Sequence, residues 1–305
     1  MYDRYYKFSR FLKEKYGEKV RKISVDAGFS CPNKDPLTGL GGCIFCRNDS
    51  FSHMLSEKNI GINEQIEKGI QSVKQRYGIN KYIIYFQSST NTYAPIEVLR
   101  RCFLEAIVFE GVVGLSIATR PDCLSQEVVD LLEELTHKVD VWVELGLQSS
   151  FDSTLNSIHR GHTFQDYLNA VHTLSPLKLR ICTHLMIGLP GEKKQHIIET
   201  ANKIAQTGTQ EVKIHPLLIL KDTGLENLYL DGKIQELKLD DYIQMVCDFL
   251  ERIPATMIVQ RLTAEAPLQI LLAPTWIKNK LTIVRFIEQE LKRRETFQGS
   301  RLMER

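Results

Sequence analysis

Cys31-Pro-Asn-Lys-Asp-Pro-Leu-Thr-Gly-Leu-Gly-Gly-Cys43-Ile-Phe-Cys46 directly follows an apolar, strand-like run, Ile23–Phe29. Three thiols on one loop with no fourth close by describe an incomplete metal site. Four cysteines would fill a zinc ion or an iron–sulfur cluster, whereas three leave one position open, and an open position is where chemistry takes place. Pro32, Pro36, Gly39, Gly41 and Gly42 give the spacer the turns a loop needs to wrap a cluster. A structural zinc site with His53 as fourth ligand is the alternative, although His53 lies further from Cys46 than zinc-finger spacing favours. Seven cysteines are an odd number, which fits a disulfide framework poorly. Cys102, Cys123, Cys182 and Cys247 are scattered through helix- or strand-like runs and read as small buried hydrophobes.

Outward from this loop, apolar runs and amphipathic runs alternate. The strand candidates are 21–29, 82–87, 112–118, 139–147, 180–187 and 211–218. Between them, 63–77, 96–109, 126–136, 164–174 and 193–207 carry helical periodicity. Near-continuous apolar strands separated by helices predict a parallel sheet buried on both faces. No Gly-x-Gly-x-x-Gly follows the first strand, which argues against a dinucleotide-binding sheet. The expected fold is α/β, a partial (β/α)6 barrel with a C-terminal helical and strand extension; a doubly wound sheet is the alternative. In that extension, 239–252 reads as a helix, 255–262 as a possible seventh strand and 280–293 as a basic amphipathic helix. The domain reading is a basic, aromatic N-terminal segment at 1–20, the barrel at 21–225 and the extension at 226–305 packed on it.

In a barrel the site lies at the C-terminal strand ends, and polar residues gather there. Gln87-Ser88-Ser89-Thr90 begins a run dense in amides and hydroxyls; it reads either as ligand contacts or as a turn capping the helix near Pro95. Arg120 suits a carboxylate of cofactor or substrate, and Asp122 a helix cap. Glu144 stands inside an apolar strand, where an unpaired carboxylate is costly, so it requires a partner. Gly188, Pro190 and Gly191 make a sharp turn, and Glu192 is expected to favour the next helix N-terminus. Lys213 and His215 alternate with apolar residues and would share one face, either as substrate contacts or as satisfied core groups.

Taken in order, the cysteine loop, Glu144-Leu-Gly-Leu-Gln148-Ser149, Arg160-Gly-His162 and Gly188-Leu-Pro-Gly-Glu192 resemble radical S-adenosylmethionine (radical-SAM) enzymes. The long gap between the first two cysteines is similar to the YtqA/YhcC-type subfamily, relatives of the elongator catalytic subunit. The likeness covers roughly 21–225, and both flanks also look like that group. It implies that Cys31, Cys43 and Cys46 hold a [4Fe–4S] cluster, with Phe45 as the aromatic before the last cysteine. It implies that S-adenosylmethionine chelates the open iron and is cleaved to a 5′-deoxyadenosyl radical that takes a substrate hydrogen. Gln87, Ser88, Ser89 and Thr90 stand where relatives bind the amino group, often with Gly-Gly-Glu, from which this chain departs. Glu144, Gln148 and Arg160 match positions facing the cofactor, and the fifth strand, at Ile187, is where relatives contact adenine. Arg120, Lys213 and His215 are left as catalytic or substrate residues.

Elongator-type relatives act on the wobble uridine of tRNA, and YtqA-type relatives are associated with its aminomethyl side chain. The resemblance therefore implies tRNA as partner, with an electron donor such as flavodoxin or ferredoxin. Residues 1–22 carry eight Lys/Arg against three Asp/Glu, and 276–305 carry eight against four, in a chain of net charge +2. Basic flanks interleaved with Tyr2, Tyr5, Tyr6, Phe8, Phe11 and Tyr16 suit phosphate attraction and base stacking, or else a solvated face with its aromatics in the core. No apolar run is long enough to span a bilayer and no apolar signal region opens the chain, so a cytoplasmic protein is expected. Alternatives are a radical-SAM enzyme acting on a small molecule or porphyrin, and a non-catalytic zinc-containing RNA-binding protein.

Overall fold

A computed structural model describes residues 3–35, 41–47 and 60–302. His53, Pro36 and Gly39 lie outside the described residues. The apolar runs form β1 (Val20–Val25), β2 (Lys81–Phe86), β3 (Val112–Thr119), β4 (Asp140–Gln148), β5 (Arg180–Ile187) and β6 (Glu211–Pro216). In β4 every residue but the first is buried, as expected of a strand covered on both sides. The first strand ends before Phe29, because the Asp26 carboxylate accepts the Gly28 N–H at 2.7 Å and turns the chain out of the sheet.

The helices are α1 (Phe8–Tyr16), α2 (Ile62–Tyr77), α3 (Ile96–Ala106), α4 (Gln126–Thr136), α5 (Asp152–Ser157), α6 (Phe164–Leu174), α7 (Lys194–Ile204), α8 (Gly224–Leu230), α9 (Leu239–Leu250) and α10 (Lys280–Arg293). Each crossover helix buries one stripe; on α3 it is Leu99, Cys102, Phe103 and Ala106, at helical spacing. Two short strands, β7 (Ile219–Leu220) and β9 (Leu271–Ala273), pair antiparallel.

The main sheet runs in the order β1-β2-β3-β4-β5-β6-β8, all parallel. The strand β8 (Ile258–Arg261) comes from the C-terminal region and pairs Glu211 with Ile258 and Val212 with Val259. The sheet thus has seven strands rather than six, and 226–305 contributes one of them. The strand order never reverses, so no doubly wound switch point exists. Side chains instead meet across the interior. Lys213 on β6 reaches the Tyr85 hydroxyl on β2 at 2.8 Å, although four strand spacings in a flat sheet span about 19 Å. Lys22 on β1 reaches Gln260 on β8 at 2.8 Å. The sheet is therefore curled into a half-barrel whose two edge strands approach without pairing.

The N-terminal aromatics go into packing. Phe8, Phe11, Tyr16 and Leu12 pack with Ile83 and Trp142 at the N-terminal end of the barrel. Tyr5 is in the main core. The Tyr16 hydroxyl donates to Asp140 at 2.5 Å, and the Val259 N–H donates to Tyr6 O at 2.8 Å, covering the β8 edge. Tyr2 lies outside the described residues; for Tyr5, Phe8, Phe11 and Tyr16 the stacking part of the RNA argument is corrected, because these rings pack into the fold away from the cysteine loop. No helix among the described residues is long and apolar enough to cross a membrane.

Gly114 on β3 is one close approach in that closure. A Cβ there would lie 2.6 Å from Trp142 Cζ3 and 3.0 Å from Asp140 O. Gly114→Val is expected to cost about 1–3 kcal/mol by overpacking, read as a lowered denaturant midpoint at unchanged slope. An unaltered midpoint would show that Trp142 does not fix the spacing of β3 and β4.

Candidate active site

The C-terminal strand ends open into one cavity lined by Cys31, Cys43 and Cys46 together with residues from β2 to β8. The thiols share its wall rather than converging on one point, and among the described residues no three His, Cys, Asp or Glu side chains form a compact single-ion site. The cysteine loop is anchored from outside itself. The Ile44 N–H donates to Ile158 O at 3.1 Å and Ile44 O accepts the Leu225 N–H at 2.9 Å. Buried Asn33 donates to His159 O (2.7 Å) and Arg160 O (2.8 Å) and lies 3.3 Å from Cys43 Sγ.

These contacts explain Arg160-Gly-His162. Gly161 sits at φ +73°, and a Cβ would be 2.4 Å from Asn33 Oδ1. Arg160 sends its guanidinium to Gly146 O at 2.6 and 3.1 Å and to Cys43 Sγ at 3.6 Å. A Cβ on Gly146 would lie 2.7 Å from Arg160 Nη2, so the glycine of Glu-Leu-Gly makes room for that side chain. Burial pushes the Cys46 thiol up in pKa, while the Lys34 and Arg160 charges pull it down. Burial wins, so without a metal the Cys46 thiol stays protonated, with the Lys34 and Arg160 charges close by.

Gln87, Ser88, Ser89 and Thr90 line the cavity beside Phe45. Asn91 pins this turn by donating to Phe86 O, Ser88 O and Ala118 O at 3.1, 2.9 and 2.9 Å. The turn does not cap α3, whose N-cap is Pro95 with no side-chain bond. Gln148 also lines the cavity, at a strand irregularity and φ +76°, and its buried Oε1 has no partner among the described residues. An orphaned carboxamide oxygen, free hydroxyls and three thiols fit a sulfur-ligated cluster bearing a polar ligand.

Deeper in the barrel, Glu144 is fully buried. Its Oε1 accepts from Lys22 and from Ser116 Oγ (2.6 Å), and its Oε2 from Lys213 (2.8 Å) and His184 Nε2 (2.5 Å). Burial raises the carboxyl pKa, but Lys213, Lys22 and His184 outweigh it and hold Glu144 well below the carboxylate range. Burial, with Lys213, lowers His184 to about 4, so it is neutral near neutral pH. Burial lowers Lys213 to about 8 against the pull of Glu144. Lys213 and His215 do share the cavity face, as their alternation implies.

Four expectations change. Arg120 is not free for an outside carboxylate: Asp122 takes its guanidinium at 2.9 and 2.7 Å, and its remaining N–H groups hold Arg160 O and Gly161 O. Asp122 accordingly does not cap α4; Ser125 does, accepting the Val128 N–H at 3.4 Å. The Ile187 side chain belongs to the core under the helices, because the two-residue period of β5 turns His184 and Met186 inward instead. Glu192 is engaged by the Ser149 hydroxyl, and burial raises its pKa. Lys22, Asn33, Tyr85, His184 and Arg261 also line or support the cavity. Lys22 and Ser24 alternate with Ile23 and Val25, a readable sign of an inward polar face; nothing in the sequence marks Asn33.

Residues 39–204 match the family model described as the Radical SAM superfamily, and 209–293 that of the Radical_SAM C-terminal domain. YtqA of Bacillus subtilis (strain 168) is 40% identical over 296 residues, 97% of this chain and 92% of that one. YhcC of Escherichia coli (strain K12) is 36% identical over 276 residues, 90% of this chain and 88% of that one. Among solved structures, the archaeal Methanocaldococcus infernus Elp3 with its N-terminus deleted superposes with a TM-score of 0.70 at 19% identity. That match covers 92% of this chain but only 64% of the Elp3 chain, and it is a likeness of fold.

Removing the buried carboxylate strands two lysines, so Glu144→Ala is expected to cost about 3–5 kcal/mol and to melt early. Acid should also destabilise the native protein. His184 stands at about 4 when folded against 6.5 ordinarily, so the unfolded chain takes up its proton first and stability falls as pH drops through that window. The depressed Glu144 acts in the same direction below the ordinary carboxylate value. Thermal scans across the window should show the decline, and His184→Gln should flatten it. A flat wild-type profile would contradict a neutral, buried His184.

Proposed function

Because the chain belongs to the radical SAM superfamily, as a radical SAM enzyme, we propose that Cys31, Cys43 and Cys46 hold a [4Fe–4S] cluster whose open iron takes S-adenosylmethionine. The chemistry the pair supplies when bound is one-electron reductive cleavage of the sulfonium, with hydrogen abstraction from the substrate. The chain's own residues bind, orient and exclude water. Asn33 and Arg160 donate toward Cys43 Sγ and fix the position of that ligand. Gln87, Ser88, Ser89 and Thr90 offer hydroxyl and carbonyl acceptors for an ammonium group, and Gln148 Oε1 is a waiting acceptor for a ribose hydroxyl. Phe45, Met186, Leu217 and Leu218 give the same cavity apolar wall.

The substrate we propose is the wobble uridine of tRNA, and the reaction the conversion of its carboxymethylaminomethyl side chain to aminomethyl: S-adenosylmethionine would serve as the two-electron oxidant of the N–CH2 carbon, and water would then release the two-carbon unit as an α-oxo acid. The sequence likeness to the YtqA/YhcC group carries this reading. The two basic flanks meet on one face, where Arg4 donates to Thr296 O at 3.1 Å and Tyr6 N to Gln298 Oε1 at 2.8 Å, which supports phosphate attraction. A cytoplasmic location with a flavodoxin or ferredoxin donor completes the proposal. The single observation behind the chemistry is three thiols on one cavity wall with an unsatisfied carboxamide oxygen beside them.

Anaerobically purified protein should carry about four irons and as many sulfides per chain. With dithionite it should convert S-adenosylmethionine to methionine and 5′-deoxyadenosine. Cys43→Ser should lose the cluster absorbance while remaining folded. tRNA from cells lacking the protein should accumulate the carboxymethylaminomethyl nucleoside. A colourless protein with one zinc and no cleavage would sink the radical reading; cleavage with unaltered tRNA would sink the substrate.

A further inference from the structure

Glu144 is the only carboxylate lining the cavity among the described residues, and it is already shared between Lys22 and Lys213. The cations around it are mostly spent as well. Arg120 is paired with Asp122, Arg160 holds the Gly146 carbonyl, and Lys213 holds Glu144 and Tyr85. Arg261 is the exception. It closes β8 beside Lys213, lines the same cavity, and its Nε is buried with no hydrogen-bond partner among the described residues. Glu265, the nearest acid along the chain, is paired with Lys280 instead.

A guanidinium in this position is costly without an anion. Lys213 beside it makes the cost larger, and burial holds its other basic neighbours, His184 and His215, neutral. The cations felt at Cys46 are different ones, Lys34 and Arg160. The cavity therefore has a sulfur pole and, at the β6–β8 wall, a second cationic pole. Leu217, Leu218, Leu220 and Ala264 complete the cavity's apolar lining, leaving room for a small acyl group rather than a heavily hydrated ion.

We propose that Arg261, with His215 beside it on the neighbouring strand, forms a subsite for the carboxylate of the substrate. A planar guanidinium pairs with a carboxylate through two parallel N–H···O bonds, which gives orientation as well as charge. This deepens the tRNA reading and rests on it for the name of the group: a carboxymethylaminomethyl side chain carries a carboxylate and an aminomethyl side chain does not. Arg261 then distinguishes substrate from product.

The test separates the subsite from the tRNA reading. Full-length holoenzyme with S-adenosylmethionine is melted in the presence of N-methylglycine, of methylamine or of inorganic phosphate at equal ionic strength. N-methylglycine near ten times its dissociation constant should raise the midpoint of wild type by about 2 °C and that of Arg261→Lys, which keeps the charge but not the fork, by less, with no response in Arg261→Gln or to methylamine. S-adenosylmethionine affinity, by equilibrium dialysis, should agree within about twofold in all three proteins, less than half a kcal/mol. An equal response in Arg261→Gln, a response to none of the probes, or a response to phosphate alone overturns the subsite. So does a tenfold weaker cofactor affinity in Arg261→Gln, about 1.4 kcal/mol, because the anion is then the cofactor's own carboxylate. In parallel, wild-type protein is given tRNA carrying each side chain; indifference to both, alongside an Arg261-dependent response to N-methylglycine, would retire the tRNA reading and keep the subsite.

Discussion

A single buried carboxylate holds the curl of this sheet. Glu144 stands on the central strand and receives Lys22 from β1, Ser116 from β3, His184 from β5 and Lys213 from β6. Lys22 goes on to Gln260 on β8, and Lys213 to Tyr85 on β2. All seven strands of the main sheet are thereby tied through one polar network. Backbone pairing fixes neighbours, but it leaves the curvature of an open sheet free; cross-interior bonds of fixed length do not. A plug of apolar side chains would hold the barrel at least as tightly, since burying charge costs more than burying hydrocarbon. What it would not supply is a polar floor beneath a cavity that must receive a charged ligand.

The same logic explains how an irregular loop becomes a rigid ligand set. Cys31, Cys43 and Cys46 lie on a segment whose described residues hold one short 3-10 turn, Pro32–Lys34, and no longer regular element. Their positions come from bonds to other parts of the chain: Asn33 to the 159–160 backbone, Arg160 to Cys43 and Gly146, Arg120 to the 160–161 backbone, and Leu225 to Ile44. Glycines at 146 and 161 stand where a side chain would strike Arg160 or Asn33. The separated motifs of the sequence are thus one assembly in space.

That assembly marks the limit of what the sequence discloses. The strands are readable because burial on both faces leaves little polar pattern to confuse, and Lys213 with His215 is readable because a strand alternates strictly. The three cysteines are readable because few other uses require that spacing in a reduced chain. Partnership between distant side chains is not. Arg120 reads as a free cation until Asp122, two residues away, is seen in its fork. Ile187 reads as a ligand contact from its place at a strand end, and only the phase of β5 sends it to the helices. The N-terminal rings read equally as a stacking surface or as packing, and the outcome depends on a groove at the barrel end that no local pattern encodes. β8 falls within the 255–262 run read as a seventh strand, and it is the open edge of β6 that takes it up.

The arrangement of charge in the cavity orders the remaining chemistry. The cluster proposed for the three thiols would be anionic, and Lys34 and Arg160, whose charges are felt at Cys46, sit where they would offset it. The middle of the lining, Gln87 to Thr90 and Gln148, is neutral and polar, as suits a ligand that is itself both cation and anion. The far wall is cationic at Arg261, beside a His215 that burial holds neutral, and no protein carboxylate answers the buried Arg261 Nε. A ligand lying between the sulfur pole and the cationic one is oriented by them, and a substrate anion entering at the Arg261 pole is held away from the sulfur pole. Positional control of this kind is what a reactive one-electron chemistry demands of its protein: the hydrogen presented to it is chosen by where the substrate's anion is pinned, not by bond strength.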